Sequence, residues 1–433
     1  MFTVLAATFL ILMFVVGAPL AITLILSSLA AIWYQATLPG AAPIPLVVTP
    51  QRMFTMIDSF PLMAVPYYIL AGELMERGGI SLRLVNFATA LLGRIRGGIC
   101  LAAVLSSIIF AGISGSGAAD TAAIGSLTIP AMIRKGYPPG WVAALQATAG
   151  ALGPIFPPSI VMLIYASIAN QSPARMFLGG VIPGTLIGLG LMLVSYIYSV
   201  RHGLGGVEAA MSLRQVLRAT IDASWALVAP VIILGGIFTG VFTPTEAGIV
   251  AVVYAFLVGK FVYREIQWSN LPDALLKAAL TTAIVFFIIS ASGIFGWLLT
   301  ASQAPIIAAQ FMMSITENRI LVFLIVITFL MIAGGLIEIA IMILILVPVL
   351  HPMAQRFGID PLHWSVILCI SLVVGGVTPP VADFLYIATA LAKTTLNESA
   401  RHVWLFVGIM VAVILLCVIF PQLILFLPRL IMG

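Results

Sequence analysis

The chain has 433 residues, of which 62% are hydrophobic and only 8% charged, with a formal net charge of +5. A water-soluble domain carries about 25% charged residues, so a soluble enzyme or binding module is excluded. The few Arg and Lys fall at loop positions, so no nucleic-acid partner is expected. Apolar runs recur along the whole length, which makes this a polytopic helical membrane protein.

Residues 2–16 and 18–33 are expected to form two short spans. The first lacks a basic segment and a cleavage site, so it is read as a retained span and not a signal peptide. A Pro-rich loop at 39–50 precedes a span at 53–75. Residues 81–92 carry Arg83 and Asn86 among apolar residues, the pattern of an amphipathic arm at the membrane interface. Residues 97–111 and 118–133 both fall short of the roughly 20 residues that cross a bilayer. Joined by Ser114-Gly-Ser-Gly117, they suit a re-entrant hairpin. Residues 141–168 are long enough to cross but are broken at 153–158, and 177–200 is a plain span. The most polar loop, 203–220, ends the first half.

In the second half, 225–240 and 246–262 are spans around Phe242-Thr-Pro-Thr-Glu246, and 274–298 is another. Residues 304–315 match the first arm. Residues 320–334 and 338–351 form a second hairpin, 364–391 a second broken span, and 403–427 the last span. This layout puts fourteen of the nineteen basic residues on one side and leaves Arg52, Arg175, Arg319, Arg356 and Arg429 on the other. The richer side is then cytoplasmic. The first hairpin enters from there and the second from outside, and both chain ends lie outside. Cys100, Cys369 and Cys417 sit inside apolar segments and read as small core residues. The histidines are scattered singly.

The organising feature is a pair of interruptions. Ala111-Gly-Ile-Ser-Gly-Ser-Gly-Ala-Ala-Asp120 is followed by Pro154-Ile-Phe-Pro-Pro-Ser159. Ala333-Gly-Gly-Leu-Ile-Glu338 is followed by Gly375-Gly-Val-Thr-Pro-Pro380. One offset of 222 residues carries Ala111 onto Ala333, Pro130 onto Pro352, Gly153 onto Gly375 and Pro157-Pro158 onto Pro379-Pro380. Paired interruptions in two halves of a membrane protein mark a transporter's binding site.

Irregular backbone at membrane depth is tolerated only where it lines a cavity or is buried in protein. Proline removes an N–H and frees a carbonyl one turn earlier. Several inward carbonyls with a hydroxyl make an oxygen cage for a hard cation. Sodium suits it, because the carboxylates expected for calcium are missing. Ser114, Gly153, Phe156 and Pro158 are expected to hold one ion, and Gly335, Gly375, Thr378 and Val381 a second. An anionic substrate would sit between the hairpin tips, where helix N-termini present free N–H groups. Ser114, Ser116, Asp120, Pro157, Thr378, Pro379 and Asp383 are its expected contacts. Intramembrane acids are functional by default, though Asp120 and Glu338 also stand where a helix cap would. Asp58 and Glu246 read as structural anchors near span ends.

These residues resemble the large membrane subunit of tripartite ATP-independent periplasmic (TRAP) transporters. The resemblance rests on Asp58-Ser-Phe-Pro-Leu-Met-Ala-Val-Pro-Tyr-Tyr-Ile-Leu-Ala-Gly72, the Gly112–Asp120 stretch and Pro154-Ile-Phe-Pro-Pro-Ser159. Gly240-Val-Phe-Thr-Pro-Thr-Glu-Ala247 and Thr378-Pro-Pro-Val381 complete it. It implies an all-α, inverted-repeat, elevator-type transporter of the ion-transporter superfamily, with two re-entrant hairpins and two broken transmembrane helices. The chain would divide into scaffold spans and first arm (1–96), a first transport unit (97–175), and further scaffold with the second arm (176–318). A second transport unit (319–393) and a closing span (394–433) would follow.

The resemblance also implies sodium-coupled uptake of an organic acid across the bacterial inner membrane, with no cofactor beyond sodium ions. A periplasmic solute-binding protein would deliver the substrate, and a small four-helix membrane subunit, expected as a separate polypeptide, would be the partner. Ala382-Asp383 departs from the glycine and small apolar or amide residue usual after Pro-Pro-Val. A single-component sodium/carboxylate symporter of the same superfamily is the alternative. An intramembrane enzyme is disfavoured by the lack of a catalytic pair, and a channel by the lack of a polar stripe.

Overall fold

The computed structural model describes residues 1–40, 42–205, 213–380 and 382–433, and Leu213 only in its backbone. Among them the regular structure is entirely helical. The first half contains α1 (Phe2–Leu10), α2 (Leu20–Thr37), α3 (Val48–Ile57), α4 (Ala64–Arg77), α5 (Ile80–Leu92), α6 (Gly98–Ser114), α7 (Gly117–Arg134), α8 (Pro139–Gly150), α9 (Ile160–Ala169) and α10 (Pro173–Arg201). After it come α11 (Leu213–Asp222), α12 (Ser224–Phe238), α13 (Pro244–Leu257), α14 (Leu271–Ala301), α15 (Ala304–Ile315), α16 (Arg319–Gly334), α17 (Ile339–Arg356), α18 (Pro361–Val377), α19 (Asp383–Ala392), α20 (Leu396–Ile419) and α21 (Gln422–Met432). Among the described residues six helices are long and apolar enough to cross a membrane, or up to nine if each bent pair counts as one span.

Both hairpins and both interrupted helices are present. The first hairpin is α6 and α7, and the second is α16 and α17. The interrupted helices are α8/α9 and α18/α19. Every residue at 140–150 and at 363–377 is buried. A helix apolar all round has to be enclosed on every side, so α8 and α18 form the centre. The packing around them is crosswise. The second arm of the first hairpin, α7, packs on α19, and the second arm of the other hairpin, α17, packs on α9.

The hairpin bases lie at opposite ends of α10, whose 29 residues span about 44 Å at 1.5 Å per residue. At its C-terminal end, Gly97 donates to the Gly205 carbonyl at 3.2 Å, and the Tyr137 and Ser199 hydroxyls meet at 2.7 Å. At its N-terminal end, Arg175 donates to the Gly433 carbonyl at 3.2 Å, and Arg429 lies 3.8 Å from Asp360, the cap of α18.

The elements flanking this centre are held by polar ties. Tyr68 donates to the Pro244 carbonyl at 3.0 Å and Thr245 to the Phe60 carbonyl at 3.1 Å. Thr243 and Glu246 form a reciprocal capping box at the start of α13, so Glu246 has a structural role. On the first arm, α5, Arg83 stacks 3.7 Å from the Tyr263 ring, beside Asp222 and Glu265.

Three expectations change. The span at 53–75 is two helices bent by 61° at Asp58-Ser59, because Pro61 and a 3₁₀ turn at Phe60–Met63 interrupt it. The polar stretch expected as a loop at 203–220 includes the helix α11, and its residues 206–212 lie outside the described residues. The closing span ends at Ile419, where Phe420 leaves helical geometry before Pro421, and α21 follows as a separate helix. Proline has no N–H to continue a helix.

Candidate cation and substrate site

The first break is built from its capping residues. Ser159 donates to the Pro154 carbonyl at 2.6 Å and accepts from the Met162 N–H at 3.1 Å, which closes the irregular turn and starts α9. The Pro157–Pro158 peptide is cis, as is Pro379–Pro380. The tip of the first hairpin sits on this turn. Gly115 ends α6 at φ +65°, a left-handed conformation that glycine adopts without penalty. A Cβ there would strike the Pro158 carbonyl oxygen, while the Gly115 carbonyl accepts from Ile160 N–H at 3.3 Å. Ser116 caps α7 by accepting from Ala119 N–H at 3.4 Å.

Because Ser116 is the cap, Asp120 is not. Its side chain turns inward and is fully buried. The Ser114 hydroxyl donates to Oδ1, whereas Oδ2 has no hydrogen-bond partner among the described residues. Across from it stands Gly153, where a Cβ would lie 2.7 Å from Oδ2 and 2.9 Å from the Ser116 carbonyl oxygen. A carboxylate oxygen and a carbonyl oxygen therefore converge on a point that any side chain at 153 would fill. A buried carboxylate oxygen left unpaired is unfavourable by several kcal/mol (about 1–3 or more), and a small hard cation would relieve it. Ser114 and Gly153 belong to this cluster. Phe156 and Pro158 lie on the adjoining turn, and the Phe156 ring approaches Gly112 and Gly184.

The second break shares the register with different chemistry. The backbones of Gly334 and Gly375 press together, so that a Cβ on Gly375 would lie 2.8 Å from the Gly334 Cα. Gly335 faces the carbonyls of Thr378 and Pro379, each 3.4 Å from the position of its absent Cβ. The Thr378 hydroxyl donates to the Val374 carbonyl at 2.8 Å, which leaves its lone pairs as the free part. Val381 lies outside the described residues. Ala382, at φ +42°, leads into α19, whose first residue is Asp383.

A cavity of about 200 Å³ separates the two tips. Gly115, Ser116, Gly117 and Ala118 form one wall, Glu338, Ile339, Asp383 and Phe384 the facing one, and Thr281 of α14 a side. An adjoining cavity of about 300 Å³ shares Ile69, Ser116, Ala118 and Thr281 with it and reaches Ser114, Glu73, Glu76 and Lys277. There Glu73 holds both Arg77 and Lys277 at 2.7 Å. Of the residues expected to touch substrate, Ser116 and Asp383 line the space between the tips and Ser114 the adjoining one. Asp120, Pro157, Thr378 and Pro379 line neither. Glu338, weighed as a cap, stands at the N-cap position of α17 and opens on the cavity. Sequence reasoning missed Thr281, Glu73 and Lys277. Lys277, a lone cation in the long apolar helix α14, was the available signal.

Two interrupted helices, two hairpins from opposite ends and a cavity between their tips define a membrane transporter of the inverted-repeat kind. Comparison with known proteins makes this specific. Residues 7–423 match the family described as the tripartite ATP-independent periplasmic transporter, DctM component, and the chain belongs to that family. It is 41% identical over 407 residues to the isethionate TRAP transporter permease protein DctMQ of Oleidesulfovibrio alaskensis, covering 94% of this chain and 63% of that protein. It is 38% identical over 378 residues to the C4-dicarboxylate TRAP transporter large permease protein DctM of Pseudomonas aeruginosa, covering 87% and 88%. The sialic acid TRAP transporter large permease protein SiaM of Vibrio cholerae is 35% identical over 383 residues, covering 88% and 90%.

Among solved structures, the YdaH transporter of Alcanivorax borkumensis superposes with a TM-score of 0.64, covering 92% of this chain and 96% of that one. At 15% identity that likeness concerns the fold alone. The chain is a multi-pass inner-membrane permease and not an enzyme.

Proposed function

We propose that the chain carries out sodium-coupled uptake of an organic acid by an elevator motion. The observation that carries this reading is the first cluster. Asp120 Oδ2 is buried without a partner, and it faces the Ser116 carbonyl across a void kept open by Gly153. A sodium ion there, with Ser114, Phe156 and Pro158 around it, would brace the first hairpin tip. A second ion at Gly335, Gly375, Thr378 and Val381 would brace the other. Ion binding would thereby shape the wall that receives substrate. The relatives are named for C4-dicarboxylate, isethionate and sialic acid, all organic acids, which supports the substrate class.

In this reading α6–α9 and α16–α19 move as the transport unit against the remaining helices. The cavity reaching Glu73 and Lys277 is the route on the side that the basic residues mark as cytoplasmic. A periplasmic binding protein and a small four-helix membrane subunit complete the system.

The test is uptake into proteoliposomes holding both membrane subunits, with the binding protein and its ligand outside. Accumulation is expected under an inward sodium gradient and not with potassium. Accumulation that ignores sodium would overturn the coupling. Accumulation without binding protein would favour the single-component symporter.

A further inference from the structure

We infer that the cavity between the hairpin tips takes a small zwitterion, its acid group against the first hairpin and its protonated nitrogen between Glu338 and Asp383. This rests on the transport reading above and narrows its substrate.

The walls of the cavity differ in sign. On one side the chain runs Gly115-Ser-Gly-Ala118 into the start of α7. The N–H groups of Gly117 and Ala118, first in that helix, have no partner within it, and the helix dipole adds positive potential. That wall suits a carboxylate or sulfonate. On the other side α17 and α19 also begin at the cavity, but each carries an acid there. Glu338 holds the N-cap position of α17 and Asp383 the first position of α19. The two acids oppose the positive ends of those helices and line that wall with carboxylate acceptors.

No Lys, Arg or His lines the cavity among the described residues. Lys277 lines the adjoining space, where Glu73 holds it at 2.7 Å. A plain anion would meet two carboxylates on that wall, and like charges repel. A nitrogen cation on the same molecule turns that repulsion into attraction. The volume of about 200 Å³ equals about seven waters at ~30 Å³ each, which is room enough for a short molecule.

The experiment uses the large subunit with its small membrane partner in nanodiscs, in sodium buffer. Matched pairs that differ at one end are titrated while thermal stability is read: taurine against isethionate, and β-alanine against 3-hydroxypropionate. In each pair the ammonium compound is expected to act at concentrations at least about tenfold lower. Glu338→Gln and Asp383→Asn, singly, should each shrink that ratio.

Equal or better action by the hydroxyl compounds overturns the inference, as does no shift from all four. So does a variant that moves the half-saturating sodium concentration and keeps the ratio, since the acids would then be cation ligands. The preference in the unaltered complex is decisive even if a variant fails to fold. Sodium-driven uptake of the binding protein's own ligand separates the two failures. If it persists without a pair preference, only this inference falls; if it is absent, the transport reading falls.

Discussion

At the first break Ser159 ties Pro154 to the start of α9, and Asp120 reaches back to Ser114, so side chains fix both the turn and the hairpin tip. At the second break, 222 residues later, no cap hydrogen bond from a side chain starts α17 or α19 among the described residues. There the fit comes from backbone pressed on backbone, Gly334 against Gly375, and from carbonyls turned towards Gly335. Both interruptions bring a glycine against backbone. The first adds side-chain ties from Ser159 and Ser114 across the turn and tip, whereas at the second the Thr378 hydroxyl bonds only within its own helix. Duplicated sequence thus preserved where the helices stop while the means of holding them diverged.

The contrast can be broken most sharply at Gly153. Gly153→Val fills the space between Asp120 Oδ2 and the Ser116 carbonyl. Sodium-driven uptake should fall at least about 100-fold, equivalent to ~2.7 kcal/mol, with the complex still running as a single folded species in size-exclusion chromatography. Gly375→Ala meets main chain instead. It should lower thermal stability by about 1–3 kcal/mol of overpacking, whatever ion is present. If both variants behave alike, the contrast is wrong.

Asp120→Asn keeps an acceptor for Ser114 but removes the charge. The half-saturating sodium concentration should rise about tenfold, ~1.4 kcal/mol, with the substrate concentration dependence changed far less. Smaller again are Ser114→Ala and Thr378→Val, expected to weaken sodium activation several-fold (about 1 kcal/mol, the net worth of one hydrogen bond) and substrate recognition less. Ser114→Ala should be the stronger, because that hydroxyl also positions Asp120. Unchanged sodium activation in both variants removes these residues from the ion sites. The smallest effect belongs to Ser159→Ala, a lost helix cap of about 1 kcal/mol, visible as a lower melting temperature with sodium activation unaltered.

The hairpins and breaks were legible because Gly, Ser and Pro interrupt long apolar runs, and the constant offset excluded chance. The bend at Asp58-Ser59 was not, since apolar residues resume at once and Asp58 reads equally well as an anchor. Helix α11 escaped notice because Arg214, Gln215 and Arg218 make it as polar as a loop. The site divided in the same way. Ser114, Ser116 and Asp383 lie in interrupted segments and announce themselves. Thr281 sits in an unbroken helix, and only three-dimensional packing brings it to the cavity. Asp120 was found, but its burial beneath the tip depends on Gly153 approaching from the turn between α8 and α9.

The crosswise packing of α7 on α19 and α17 on α9 has a further consequence. Each half supplies the clasp for its twin, so neither encloses a binding chamber alone. Whatever travels in this molecule has to travel as one interlocked body. A chain severed between Arg201 and Leu213 should work only when both fragments are made together in one cell.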